Sequence, residues 1–207
     1  SIQKPSTDTI AVDMQNEPFR NEDGSLLFRP AGHGALLENL NEIDADVVFL
    51  KNIDNVVPDH LKDETIKYKK VIAGILLKYA DRINGALDSL QSGAGISEAA
   101  GLLAELGYEP GRSFNEMGDS GRVQFLKEKL HRPFRVCGMV KSDGDPGGGP
   151  FWVMAEDGSK SLQVVETAQI DLTDEEQKSV FNEATHFNPV DVVCLLKDKN
   201  GEKFDLL

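Results

Sequence analysis

The sequence predicts a mixed α/β fold built on a mainly parallel sheet, with a helical block inserted at about residues 60–131. Largely apolar runs at residues 47–50 and 190–196 are typical of strands that are buried on both faces of a parallel or mixed sheet. Helical patterns alternate with such strands along the chain, as they do in α/β proteins. We therefore expect residues 1–207 to form one domain, which is long enough to bury a sizeable core.

The first 50 residues predict a hairpin, a short helix and a strand. Residues 9–13 alternate in apolar character, residues 21–25 form a polar turn, and residues 26–28 return as a second strand. The Gly32-His33-Gly34 turn follows. A helix is expected next, because apolar residues recur at helical spacing, namely Leu36, Leu37, Leu40 and Ile43. Residues 46–50 then predict a buried strand.

Helical periodicity dominates residues 63–130. The first segment has one apolar face, formed by Ile72, Ile75, Leu76, Tyr79, Ile83, Leu87 and Leu90, and its charged residues, Lys69 among them, are placed mostly off that face. Gly93 and Gly95 are expected to end this helix. Ser97 is expected to cap a second helix that runs to Leu106, and residues 123–130 predict a third.

Strand patterns return after Pro133. Residues 135–140, 151–155 and 162–167 predict three strands, with a tight turn at Asp157 and Gly158 between the last two. Thr173 begins a capping-box pattern that predicts a helix to about Thr185. Residues 190–196 complete the predicted sheet.

Composition and charge exclude two classes of partner. The net charge of −13 repels a phosphate backbone over most of the surface, so we expect no nucleic-acid partner. The chain has no apolar run of the roughly 20 residues that a membrane span needs, so we expect no membrane partner. It also shows no signal-peptide pattern and no initiator Met, and we expect a natural upstream part to be missing.

Two cysteines, Cys137 and Cys194, lie in apolar strand-like runs. Buried free thiols are favoured over a disulfide or a metal site, since a pair of cysteines in such runs lacks the spacing of a metal motif. Free thiols fit a reducing, cytoplasmic compartment.

The Gly32-His33-Gly34 turn is the first candidate ligand site. Two glycines permit close backbone approach, and the N-terminus of the following helix presents free N–H groups to a bound group, with Arg29 as a nearby cation. The alternative is a structural turn, because glycine turns before a helix are common in proteins without binding a ligand.

Asp54 and Asn55 directly follow the strand at residues 46–50 and form the second candidate. Ligands collect at the carboxyl ends of strands in open α/β sheets. One carboxylate at such a position suits Mg²⁺, which binds one or two carboxylates together with substrate phosphates and water. The alternative role for Asp54 is to cap the turn.

Two further candidates come later in the chain. The glycine-rich loop at residues 141–151 offers backbone N–H groups for an anion beside Lys141, although a flexible hairpin loop explains the same pattern. Glu166 ends a strand, and Asn188 and Asp191 flank the start of the last strand. Each of these three residues has a structural role as its alternative.

Taken together, these segments resemble UDP-sugar pyrophosphorylases, which are nucleotidyltransferases of the GT-A-like, Rossmann-like type. Residues 30–34 resemble the loop that receives the base, and residues 52–55 resemble the triplet at the metal and phosphates. Residues 164–169 and 187–191 resemble the two segments that hold the sugar. Nearly the whole chain is also similar to the C-terminal portion of a bacterial family of unknown function.

The resemblance implies a nucleotide- or nucleotide-sugar-binding domain with Mg²⁺. Asp54 and Asp191 would hold the metal, Gly32, His33 and Gly34 would receive the base or ribose, and the sugar or phosphate would meet Asn55, Glu166 and Asn188. Three substitutions within the matched segments, Thr167 for Tyr, Gln169 for Glu and Asp191 for Asn, leave the sugar undefined.

The catalytic signature of the family, a glycine-rich loop followed by lysine, has no counterpart in the chain. That loop and lysine stabilise the charge of the transition state, so we expect binding without turnover. Two alternatives remain open. One is a non-catalytic sensing or protein-interaction module, in which the helical face from Ile72 to Leu90 meets a partner, and the other is a glycosyltransferase.

Overall fold

The computed structural model describes residues 2–142 and 147–207, which form two compact units. The first comprises residues up to Ala45 together with Lys203–Leu207, and the second comprises Asp46–Glu202. Among the helices of the described residues, none combines the length and the apolar character that a membrane crossing requires.

The first unit is a hairpin followed by a short helix. Strands β1 (Thr9–Ile10) and β2 (Phe28–Arg29) pair antiparallel, and two further bridges, Val12 to Pro18 and Arg20 to Leu26, close two separate turns between these strands. A 3-10 turn at His33–Ala35 leads into helix α1 (Leu36–Glu42). The C-terminal residues are fastened to this helix by Asn41, whose Oδ1 accepts from the Leu206 N–H at 3.0 Å.

The second unit contains the remaining helices of the described chain. They are α2 (Lys62–Gln91), α3 (Ile96–Glu105), α4 (Ser113–Glu116), α5 (Asp119–Leu130) and α6 (Glu175–Asn182). Helices α2, α3 and α5 pack together around one apolar cluster, whose most deeply buried members are Leu90, Ala99 and Leu126. Four members of the predicted apolar face of α2, Leu76, Ile83, Leu87 and Leu90, are therefore core, whereas Ile75 is exposed.

The strands of the second unit form three small sheets. They are β3 (Val47–Lys51), β4 (Tyr108–Glu109), β5 (Phe134–Cys137), β6 (Val140–Lys141), β7 (Gly149–Met154), β8 (Lys160–Val165), β9 (His186–Phe187) and β10 (Asp191–Leu195). The sheets have the orders β3-β10-β5, β4-β8-β7 and β6-β9. Helix α2 packs against β10 and β5.

The expected α/β class is confirmed, but the mainly parallel sheet is not what the described residues form. Every strand pair within residues 2–142 and 147–207 is antiparallel. The apolar run in β10 reflects burial, because this strand has a neighbour on each side and Val192, Val193 and Cys194 are all buried. Burial on both faces does not encode strand direction, so the sequence pattern could not distinguish the two arrangements.

Both cysteines are free thiols, as the sequence predicted. Cys137 ends β5 half-buried, and Cys194 lies buried in β10. Burial disfavours the charged thiolate and raises the pKa of Cys194 to about 11, with a further increase from the neighbouring Cys137. The pKa of Cys137 is also raised by burial.

We expect Cys194 to resist alkylation in the folded protein, because a thiol with a pKa of about 11 is only about 0.1 % ionised near pH 8. An unfolded cysteine has a pKa of about 8.5, so the unfolded chain loses this proton first. The contribution of Cys194 to stability is thus complete below about pH 8.5 and is lost as the pH rises toward 11. Thiol titration with a disulfide reagent, with and without denaturant, measures how far folding protects Cys194 from reaction. Equal rates in both conditions would contradict it.

Candidate functional site

Charged side chains meet where β3 ends and β10 begins. The antiparallel register places Lys51, the last residue of β3, opposite Asp191, the first residue of β10. The Lys51 Nζ donates to Asp191 Oδ2 at 2.6 Å. Lys69 of α2 reaches the other carboxylate oxygen, with 3.5 Å between its Nζ and Asp191 Oδ1. Asp191 thus forms an ion pair with two lysines at once.

The packing of α2 against the sheet brings Lys69 to this place. Its ammonium lies 5.2 Å from the centroid of the Phe49 ring, which adds a cation–π contact. The side chains of Lys51, Lys69 and Asp191 are 18 %, 25 % and 26 % exposed, so all three are partly shielded from water. Asp191 Oδ1 is itself buried and accepts no hydrogen bond, so Lys69 supplies only a longer ion-pair contact to it.

Asn188 shapes the backbone that leads to Asp191. Its side chain is buried at 7 % exposure, its Nδ2 donates to the Gly138 carbonyl at 2.7 Å, and its Oδ1 accepts from the Val190 N–H at 3.1 Å. Val190 has a φ of 55°, which is a strained left-handed conformation for a β-branched residue. Both polar groups of the Asn188 amide are therefore occupied in holding this turn.

Asn55 joins the turn after β3 to the same segment. Residues Ile53–Asn55 form a 3-10 turn, from which Asn55 Nδ2 donates to the Pro189 carbonyl at 2.7 Å. Asp54 is exposed in this turn, and its Oδ2 accepts from Asn52 Nδ2 at 3.3 Å. Asn55 thus serves as a brace between two loops, while Asp54 leaves its carboxylate open to solvent.

The described end of the glycine-rich loop connects Glu166 to Asn188. The Gly148 carbonyl accepts from the Asn188 N–H at 2.7 Å. On its other side, a Cβ added to Gly148 would lie 2.9 Å from Glu166 Oε1, so glycine permits a close approach between the loop and this carboxylate. Glu166 is exposed and caps the 3-10 turn Thr167–Gln169, with its side chain accepting from the Gln169 N–H.

The metal pair of Asp54 and Asp191 stays a prediction. Asp191 is neutralised by two lysines. Across residues 2–142 and 147–207, no three His, Cys, Asp or Glu side chains come close enough together to hold a metal ion. Asp191 as a metal ligand stays a prediction, and it would require both lysines to turn away.

The remaining predicted residues lie elsewhere or outside the described chain. Gly32 and Gly34 are exposed residues of the first unit, with open space where a Cβ would project. The side chain of His33 and residues 143–146 of the glycine-rich loop lie outside the described residues. The helix that follows Gly34 is only seven residues long, so it offers a weak terminus for an anion.

Lys51 and Lys69 are the functional candidates that the sequence analysis missed. The charged residues of α2 were expected to lie mostly off its apolar face, and Lys69 is an exception, since it precedes Ile72 by three positions and the buried Leu76 by seven. A lysine in register with buried residues, together with a lysine at the end of an apolar strand, was the available signal.

A separate groove runs between α2 and α3. It has a volume of about 530 Å³, and its lining includes Gly85, Ser89, Gly101 and the ion pair of Arg82 with Glu105. The Arg82 guanidinium donates to both Glu105 oxygens, at 2.7 and 2.9 Å. None of its lining residues belongs to the cluster around Asp191.

The sequence profile of the domain of unknown function DUF4301 matches residues 1–207, so the chain belongs to that family. A comparison with curated proteins found no match, and a comparison with solved structures found none either. The expected membership of a family of unknown function is thereby confirmed.

Proposed function

We propose that this chain is a nucleotide- or nucleotide-sugar-binding domain of the sugar-1-phosphate nucleotidyltransferase type, with a GT-A-like relationship to the UDP-sugar pyrophosphorylases. One observation carries the proposal. Segments that resemble three separate motifs of those enzymes are in contact: Asn55 bonds to Pro189, and Gly148 links Asn188 to Glu166. These segments are far apart in the sequence, so their contact supports a common site.

Within this proposal, Asp54 and Glu166 are the groups available to a ligand, because both carboxylates are exposed. Glu166 would accept hydrogen bonds from sugar hydroxyls. Asn55 and Asn188 would hold the loops in place, since their amide groups bond to backbone atoms. A base- or ribose-binding role for Gly32, His33 and Gly34 of the first unit stays a prediction.

The donor set suits a magnesium ion that arrives with a nucleotide. A single exposed carboxylate, Asp54, supplies too few ligands for a resident metal site, but Mg²⁺ commonly binds one carboxylate together with phosphates and water. The chain's own contribution would be to position the Mg²⁺–nucleotide complex. Without the glycine-rich catalytic loop, we propose binding without release of pyrophosphate.

Isothermal titration with UDP-glucose and UTP, with and without Mg²⁺, tests the proposal. We expect both ligands to bind wild-type protein, and we expect Asp54→Asn to remove the gain that Mg²⁺ brings. Asp63→Asn is the matched control, because Asp63 is another exposed aspartate and lies at the start of α2. Binding that is indifferent to Asp54 in the presence of Mg²⁺ would contradict the metal assignment, and no binding of either ligand would contradict the function.

A second candidate is a protein-interaction module. The face from Ile72 to Leu90 does not supply the surface expected for it, because Leu76, Ile83, Leu87 and Leu90 are buried. An exposed apolar stripe in the first half of α2 favours it instead: Tyr68, Val71 and Ile75 are 63 %, 49 % and 40 % exposed and lie at helical spacing, although Ile75 was predicted to belong to the buried face. No rise in melting temperature across a panel of nucleotides and sugar phosphates would favour this candidate.

A further inference from the structure

The cluster around Asp191 carries an excess of positive charge. Two ammonium groups, Lys51 and Lys69, face one carboxylate, which leaves one positive charge uncompensated within the cluster. The chain as a whole carries a net charge of −13. A local excess of the opposite sign, placed at the end of two strands, is the feature that attracts an anion to one point on an otherwise acidic protein.

The two lysines also retain hydrogen-bond donors. Each ammonium has three N–H donors, while Asp191 offers two oxygens, only one of which accepts a hydrogen bond, from Lys51 at 2.6 Å. The Lys69 ammonium lies 3.5 Å from the other oxygen and is free to donate elsewhere. Phosphoryl oxygens are acceptors with the charge that suits this set of donors.

Partial burial increases the strength of such an interaction. Lys51 and Lys69 are 18 % and 25 % exposed, so they are shielded from bulk water but are still reached by it. Charges in such a setting attract more strongly than charges on an open surface, and salt screens them less. The Phe49 ring beside Lys69 contributes an apolar wall.

We infer that Lys51 and Lys69 form a phosphate-binding subsite, and that Asp191 is a counterion whose single charge only partly compensates the two ammonium groups. The ligand class is a phosphomonoester or a diphosphate. This inference rests on the proposed function for the identity of the larger ligand, and it assigns the phosphate part of that ligand to two residues that the sequence motifs do not include.

Titration calorimetry with inorganic pyrophosphate at low salt tests the subsite on its own. We expect Lys51→Met and Lys69→Met each to weaken binding about tenfold, since each removes one charge-assisted contact. Lys67→Met is the matched control, because Lys67 lies on the same helix, is 64 % exposed and pairs with Glu64. It is expected to bind as wild type does.

Asp191→Asn separates a binding site from a structural brace. If the lysines bind phosphate, removal of the carboxylate raises the local charge and tightens pyrophosphate binding several-fold. If the cluster only braces the strands, the same variant gains nothing. Lys51→Arg and Lys69→Arg keep the charge and are expected to retain binding, so a loss in the methionine variants is separated from misfolding, which circular dichroism monitors.

Unchanged pyrophosphate binding in both methionine variants, no binding by the wild type, or weaker binding by Asp191→Asn would each overturn the inference. UDP-glucose distinguishes this failure from failure of the proposed function. If UDP-glucose binds the wild type and both lysine variants with equal affinity, the function stands and the subsite fails. If pyrophosphate binds through the lysines while UDP-glucose binds no more tightly, the subsite stands and the nucleotide-sugar assignment fails.

Discussion

Replacement of Asn188 by alanine is expected to lower the free energy of unfolding by about 3 kcal/mol, since each buried polar group left without its partner costs about 1–3 kcal/mol. The Asn188 amide bonds to the Gly138 carbonyl and to the Val190 N–H, and the residue is 7 % exposed. Alanine removes both bonds. It also frees Val190 from the turn that keeps it at a φ of 55°.

Urea denaturation followed by circular dichroism measures this loss. Asn182→Ala is the matched control, because Asn182 is exposed at the end of α6 and its change is expected to stay within about 0.5 kcal/mol. An unfolding free energy within about 0.5 kcal/mol of wild type would show that the turn does not depend on this amide.

The second large effect is expected at Gly107, which ends α3 and precedes β4. Its φ is 76°, and an added Cβ would lie 2.6 Å from Leu162 Cδ1. The Gly107 carbonyl also accepts from the Leu162 N–H at 2.8 Å, so neither segment can move away without loss of that bond. Gly107→Ala combines a left-handed backbone, which costs about 1–2 kcal/mol, with overpacking, which costs about 1–3 kcal/mol.

We therefore expect Gly107→Ala to destabilise the protein by about 3 kcal/mol, measured as a fall in the urea midpoint at constant slope. Gly101→Ala, within α3, is the control for which the opposite change in stability is expected. No atom lies within 4 Å of a Cβ built on Gly101, so alanine is expected to stabilise α3 by about 0.5–1 kcal/mol. Equal effects of the two substitutions would contradict the steric account.

Helices were the easier part of this fold to predict from the sequence, because their apolar residues repeat with a period that strands do not share. The glycines expected to end α2 both have a φ of 77°, and α2 ends at Gln91, just before Gly93. Gly95 instead precedes α3 as its N-cap, so the expected cap at Ser97 was wrong, because Ser97 lies within the first turn of α3. The last helix was predicted to begin at a cap formed by Thr173. The structure instead caps it with Asp174, whose side chain accepts from the N–H groups of Glu176 and Gln177. Thr and Asp both act as N-caps, so the sequence pattern left the start of this helix uncertain by one residue.

Strand direction was the part that the sequence did not contain. A buried apolar strand looks the same beside a parallel neighbour and an antiparallel one, and β10 has antiparallel neighbours on both sides. The same limit affected the site. Asp191 was interpreted as a metal ligand from its place in a motif, but its partners, Lys51 and Lys69, come from a paired strand and a packed helix.

The central position of β10 has a consequence for how this chain is made. The strand occupies residues 191–195, yet it is the middle strand between β3 and β5. Its ion pair with Lys51 spans 140 positions in the sequence. During synthesis, α2, α3 and α5 have emerged and can pack locally long before β10 leaves the ribosome. Until β10 emerges, β3 and β5 lack the strand that pairs with both of them. We therefore expect the β3-β10-β5 sheet and the Asp191 cluster to form last and together.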